Sequence, residues 1–129
     1  MATNAPSRTT RGRVTLATRA GVALIALTGI IHLVDAPDYL KAKAYIGVLF
    51  LLAAAGSVLV AVALMARDDA RAWGLGALIA AGCFAGFVLS RTTGLPGFKE
   101  SEWEPLGLLS LVVEAGFIGL ALHRLRRRA

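Results

Sequence analysis

A bare carboxylate stands inside an apolar stretch. Glu114 lies in PLGLLSLVVEAGFIGLAL, with no other charge between Pro105 and Leu122. At about 1.5 Å per helical residue, its distance from Pro105 places it roughly 13 Å inside the run. If the run crosses a bilayer, the group sits near the midplane. A carboxylate there costs on the order of 2.5–3.5 kcal/mol and has to face protein or a wet cavity instead of lipid. Helical spacing puts Gly107, Ser110, Glu114 and Ala121 on one face, a stripe of small and polar side chains. A second stripe of the same kind, Gly21, Thr28, His32 and Asp35, runs along an earlier apolar segment, and the two are expected to face each other.

Depth sorts these residues into two groups. Thr28 and Cys83 fall at about the level of Glu114, so Glu114, Ser110, Thr28 and Cys83 are expected to form a buried polar node, with Glu114 hydrogen-bonded to Ser110 or Thr28. His32 is expected only about 3 Å inside a helix that stops near Val34. It is therefore assigned to an external polar rim with Asp35, Arg91, Glu102 and Glu104. On this estimate, joining His32 to Glu114 through a metal needs a vertical slip of about 10 Å. His32 and Asp35, three residues apart on one face, are the metal candidates, since imidazole plus carboxylate suits Zn²⁺ or Cu²⁺. His123 falls at the opposite end and cannot complete such a site. Cys83 is the single cysteine, which excludes an intrachain disulfide and a multi-thiolate site within one chain; its simplest reading is a small core residue. No nucleotide-binding loop, metalloprotease helix motif or nucleophile–base order is present, and no cofactor is implied.

The elements that position these groups follow from the apolar runs. The chain has 129 residues, 57% of them hydrophobic, and its mean hydropathy is +0.68. Four runs, 14–34, 44–66, 72–90 and 105–122, are each close to the ~20 residues needed to cross a hydrocarbon core of ~30 Å. The fold class expected is all-α, an integral membrane four-helix bundle in up-down-up-down order, because short connections make consecutive helices antiparallel neighbours. Residues 14–122 form that single domain, between a disordered basic leader at 1–13 and a basic tail at 123–129. A signal peptide is the rival reading of the first run, but no A-x-A-like cleavage site follows it. The third run carries Ala77, Ala81 and Ala85 and a Gly82–Gly86 pair at four-residue spacing, which reads as a flat face for close helix packing.

Charge gives an orientation. Arg8, Arg11, Arg13, Arg19, Arg67, Arg71, Arg124, Arg126, Arg127 and Arg128 collect on one side of the four runs, against Lys41, Lys43, Arg91 and Lys99 on the other. The positive-inside rule then makes both termini cytoplasmic, and the abundance of Ala, Gly and Arg fits a bacterial source and hence a bacterial plasma membrane. The net charge of +6 flanks apolar spans, where lipid headgroups are the nearer partner, so nucleic acid is not expected. In the long loop GLPG predicts a type II turn with Pro96 and Gly97 at its centre. Ser101 with Glu104 has capping-box spacing; alternatively Pro105 opens the last helix behind Glu104. Trp103 is placed as an interface anchor.

Ser90-Arg-Thr-Thr-Gly-Leu-Pro-Gly, followed by Glu104-Pro-Leu-Gly and Ser110-Leu-Val-Val-Glu114, resembles small four-helix integral membrane proteins of high-GC bacteria. The resemblance spans the end of the third helix, the loop and the fourth helix. It implies the same fold and carries no activity with it. Length and helix count are also similar to small multidrug resistance transporters. Their membrane carboxylate lies in the first helix, where this chain has His32 and no mid-span acid, so their mechanism is not carried over.

The paucity of catalytic groups points first to a non-enzymatic accessory or interaction subunit of a membrane complex, in contact with lipid and with a membrane-protein partner or a second copy. The alternative is a small proton- or cation-coupled transporter, or an ion-binding membrane protein, using Glu114. An enzyme would need Arg91, His32 and the external acids to converge on one pocket.

Overall fold

The computed structural model describes residues 15–128, and the leader at 1–13 lies outside them. Among the described residues the chain is all-helical: α1 (Leu16–Ala42), α2 (Ala44–Ala66), α3 (Ala70–Arg91) and α4 (Pro105–Arg128). All four are long and apolar enough to cross a membrane, and they make a polytopic membrane bundle suited to a lipid environment. Leu33, Leu52, Leu59, Val62, Leu78 and Val112 point outward from it, as lipid-facing positions should. Consecutive helices pack as neighbours and α4 closes against α1.

Local chemistry sets the helix ends. The Thr15 hydroxyl accepts from the Thr18 N–H to cap α1, and Asp69 accepts from Ala72 N–H at 2.9 Å to cap α3. Pro105 occupies the first position of α4, where its missing N–H costs nothing. The capping box is not formed, because the Glu104 carboxylate turns to Arg91 instead.

The largest departure from expectation is α1. Asp35, Pro37 and Asp38 suggest a loop from residue 35, yet the helix runs through Pro37 to Ala42, and Lys43 alone joins it to α2. A proline removes one helical hydrogen bond, which a helix stacked along its whole length on a neighbour tolerates. The one-residue link forces the chains together at Gly47, where an added Cβ would lie 2.5 Å from the Leu40 nitrogen.

The two ends of the bundle differ. At the end where α1 begins and α4 finishes, the core is closed: Ile25, Val60, Leu64, Trp73, Phe117 and Ala121 are buried in one cluster. Trp73 stacks on Phe117 with ring centroids 5.5 Å apart, and its ring fills the space that Gly21 leaves in α1. Asp68, in the α2–α3 connection, ties this end together. It accepts hydrogen bonds from Trp73 Nε1 at 2.6 Å and the Thr18 hydroxyl at 2.8 Å, and pairs with Arg124 and with Arg128, the latter at 2.9 Å. Burial alone would raise the Asp68 carboxyl, but these hydrogen bonds and guanidinium charges outweigh it and hold it below the ordinary carboxylate range. Two arginines of the basic tail are thus structural ties as well as charges at the membrane face.

At the loop end the bundle is open. The connection between α3 and α4 reverses at Leu95–Phe98 as the GLPG motif requires, with Phe98 N–H donating to the Leu95 carbonyl and Gly97 at φ +64°. Arg91 holds this loop down. Its guanidinium donates to the Glu102 carbonyl, the Ser90 hydroxyl and Glu104, the last at 2.7 Å, and lies 3.7 Å over the Phe87 ring. Trp103 is half-exposed and meets Phe87 edge-on.

Candidate functional site

Between the helices of the open half lies a cavity of about 450 Å³. Apolar side chains make most of its wall, and His32, Cys83, Ser110 and Glu114 lie on it. Gly82 and Gly86 face it too, and an added Cβ at either would meet nothing within 4 Å. The glycine pair expected to form a packing face therefore does the reverse and keeps side chains out of a hollow.

The polar residues on this wall come together. Glu114 is 1% exposed, and its Oε1 accepts from the Ser110 hydroxyl at 2.6 Å. The other oxygen, Oε2, is buried without a hydrogen-bond partner among the described residues. Thr28 does not join: its hydroxyl donates to the Leu24 carbonyl within α1. His32 takes its place, with Nε2 3.9 Å from Glu114 Oε1. Ligand atoms of His32, Cys83 and Glu114 all lie within 4.8 Å of one another.

His32 is therefore not on the outer rim. Measured from Ala42, the true end of α1, it lies about 15 Å down the helix; Glu114 lies about 13 Å from Pro105 and Cys83 about 12 Å from Arg91. The three side chains share one level because α1 is longer than its sequence suggests. The expected slip of about 10 Å vanishes, and the donor set assembled around His32 contains Cys83 and Glu114 where Asp35 was the expected partner.

The His32 ring is fixed by its other nitrogen. Nδ1 lies 2.8 Å from the Thr28 carbonyl oxygen, which can only accept, so Nδ1 carries a hydrogen and, in the neutral ring, Nε2 presents a lone pair toward Glu114. Phe50 packs against the ring at 4.8 Å and limits its tilt.

Above the cavity a second hollow, of about 290 Å³, is lined by Asp35, Asp38, Glu100, Glu102 and Glu104. Asp35, Tyr39 and Glu104 belong to both walls, so the acidic hollow adjoins the deeper one. Of the expected rim, Asp35, Glu102 and Glu104 line this mouth, while Arg91 lies beneath them with its charge matched by Glu104. Asp68 was not among the expected polar residues, although an acid among the arginines of the terminal end is itself a signal of an ion pair. Comparison with family models, with curated proteins and with solved structures finds no match to the chain.

Proposed function

We propose that the chain is a small cation-binding membrane protein that admits an ion from its loop end and holds it at Glu114. The observation that carries this reading is an acidic mouth adjoining a cavity whose wall bears a buried carboxylate, one oxygen of which is unpartnered among the described residues. A mouth lined by five carboxylates raises the local concentration of cations, and the low-dielectric walls behind it focus that field. The wall then brings the Glu114 carboxylate and His32 Nε2 together, with Nε2 3.9 Å from Oε1. The closed core and the Asp68 ties at the other end supply a seal.

The positive-inside count supports both termini in the cytoplasm, so that the mouth opens to the exterior, and we place the chain in a bacterial plasma membrane. The resemblance to small four-helix membrane proteins of high-GC bacteria is in keeping with that setting.

Proteoliposomes containing ion-sensitive dye and challenged in turn with Zn²⁺, Ca²⁺ and Na⁺ test the proposal. Uptake of one cation is expected, with loss in Glu114→Gln at unchanged helix content. Uptake that is the same in Glu114→Gln, or none for any cation, overturns passage through this site. Recovery of a stoichiometric partner after mild detergent extraction, together with the absence of uptake, would favour an accessory subunit instead.

A further inference from the structure

We infer that the cavity floor is a site for a borderline-soft divalent cation of the Zn²⁺ type, bound by His32 Nε2, Cys83 Sγ and a Glu114 carboxylate oxygen, with a fourth position open to the cavity. This deepens the cation-binding reading, on which it rests, by naming the class of ion.

The geometry is close to what such an ion requires. Metal–ligand distances of about 2.0–2.3 Å in a tetrahedral site put neighbouring ligand atoms roughly 3.3–3.8 Å apart. His32 Nε2 and Glu114 Oε1 are already at 3.9 Å, and no pair in the set exceeds 4.8 Å. The remaining closure is about 1 Å. Side-chain rotation would supply it on a wall that Gly82 and Gly86 leave open, since a Cβ built at either meets nothing within 4 Å among the described residues.

The surroundings orient each ligand. The Thr28 carbonyl fixes the imidazole tautomer from behind, the arrangement usual for metal-bound histidine, and the Ser110 hydroxyl holds Glu114 Oε1, the oxygen nearest His32 Nε2, leaving it a second lone pair for the ion. The remaining oxygen, Oε2, is the second, independent sign of a ligand, since a buried acceptor with no donor among the described residues is costly.

Donor chemistry selects the ion. Ca²⁺ takes six to eight oxygen ligands and Mg²⁺ a near-octahedral set, whereas a single carboxylate is the only charged oxygen donor of this cluster. One sulfur, one nitrogen and one oxygen suit Zn²⁺. A divalent ion bound by one thiolate, one carboxylate and a neutral imidazole also sums to zero charge, which a bundle interior in lipid strongly favours. Three protein ligands and an open fourth position mark a site where the ion can exchange ligands instead of being locked in.

The test uses the full chain in detergent micelles and Co²⁺ as the probe. Titration should produce a sulfur-to-cobalt charge-transfer band in the near ultraviolet that saturates at one equivalent and is displaced by Zn²⁺ but not by Mg²⁺ or Ca²⁺. With one cysteine in the chain, the band reports Cys83 alone. Cys83→Ser should abolish it, and Glu114→Gln and His32→Gln should each weaken Co²⁺ binding at least tenfold. Should those variants misfold, wild-type protein gives an independent reading: Zn²⁺ should slow alkylation of Cys83 by a small maleimide at least tenfold. Absence of the band, or absence of protection, overturns the site. If uptake of another cation nevertheless persists in proteoliposomes, only the ion class falls and the cation-binding reading stands. A Cys83-dependent band without uptake supports the metal site and overturns passage.

Discussion

The glycines of α3 allow a sharp test of where the bundle is hollow. Gly82 and Gly86 are replaced by alanine, singly and together. Nothing lies within 4 Å of a Cβ built at either position, so the substitutions add no clash. Alanine is preferred over glycine in a helix interior by roughly 0.5–1 kcal/mol, so the double variant is expected to gain about 1–2 kcal/mol. Gly21→Ala is the contrasting case. Its Cβ would run into the Trp73 ring, and that ring cannot yield, being fully buried, stacked on Phe117 and hydrogen-bonded to Asp68. Overpacking of this kind costs about 1–3 kcal/mol, more than the helical gain. Equilibrium unfolding in mixed micelles, followed by far-ultraviolet circular dichroism, measures both. If the Gly82/Gly86 double variant loses about 1 kcal/mol or more, the loss set for Gly21→Ala, the pair packs against a helix and the cavity reasoning is wrong.

Further expectations follow from the two ends of the bundle. Asp68→Asn should cost about 1–3 kcal/mol, the worth of charge-assisted hydrogen bonds to a partly buried carboxylate. Because the folded Asp68 carboxyl is held below its ordinary value, this stabilisation is present above the unfolded-state pKa and disappears as pH falls through the lower folded one. Melting curves of wild type and Asp68→Asn should therefore converge in acid, and a gap that stays constant with pH would contradict the assignment. Arg91→Lys keeps the charge but not the three-way fork, and should cost roughly 3 kcal/mol while exposing residues 92–104 to limited proteolysis; unchanged protease resistance would show that the loop is held by something else. Gly97→Ala places a side chain at φ +64° and should cost about 1 kcal/mol or more in the same unfolding assay. An unaltered midpoint would argue against the turn.

Much of the fold was legible because apolar run length is a strong signal: each of the four helices takes up one of the four runs, α1 from Leu16 onward, and Gly107, Ser110, Glu114 and Ala121 are all buried along α4. The two departures have distinct causes. Pro37 flanked by two aspartates carries every local mark of a helix end, and only packing along α2 overrides it, so the depth of His32 could not be read from its own neighbourhood. The Gly82–Gly86 pair is ambiguous for another reason: a missing side chain serves close packing and a void equally well, and the choice depends on how far the neighbouring helix stands away. Cys83 has no ligand-type neighbour in sequence, and its partners come instead from α1 and α4.

The single-residue junction at Lys43 has a mechanical implication. With no slack between them and Gly47 pressed on the Leu40 backbone, α1 and α2 behave as one stiff blade, whereas α3 and α4 are joined by a long strap fastened through Arg91. Any breathing of the hollow must come from the strapped pair swinging against that blade, and the rivet at Asp68 fixes the pivot at the far end.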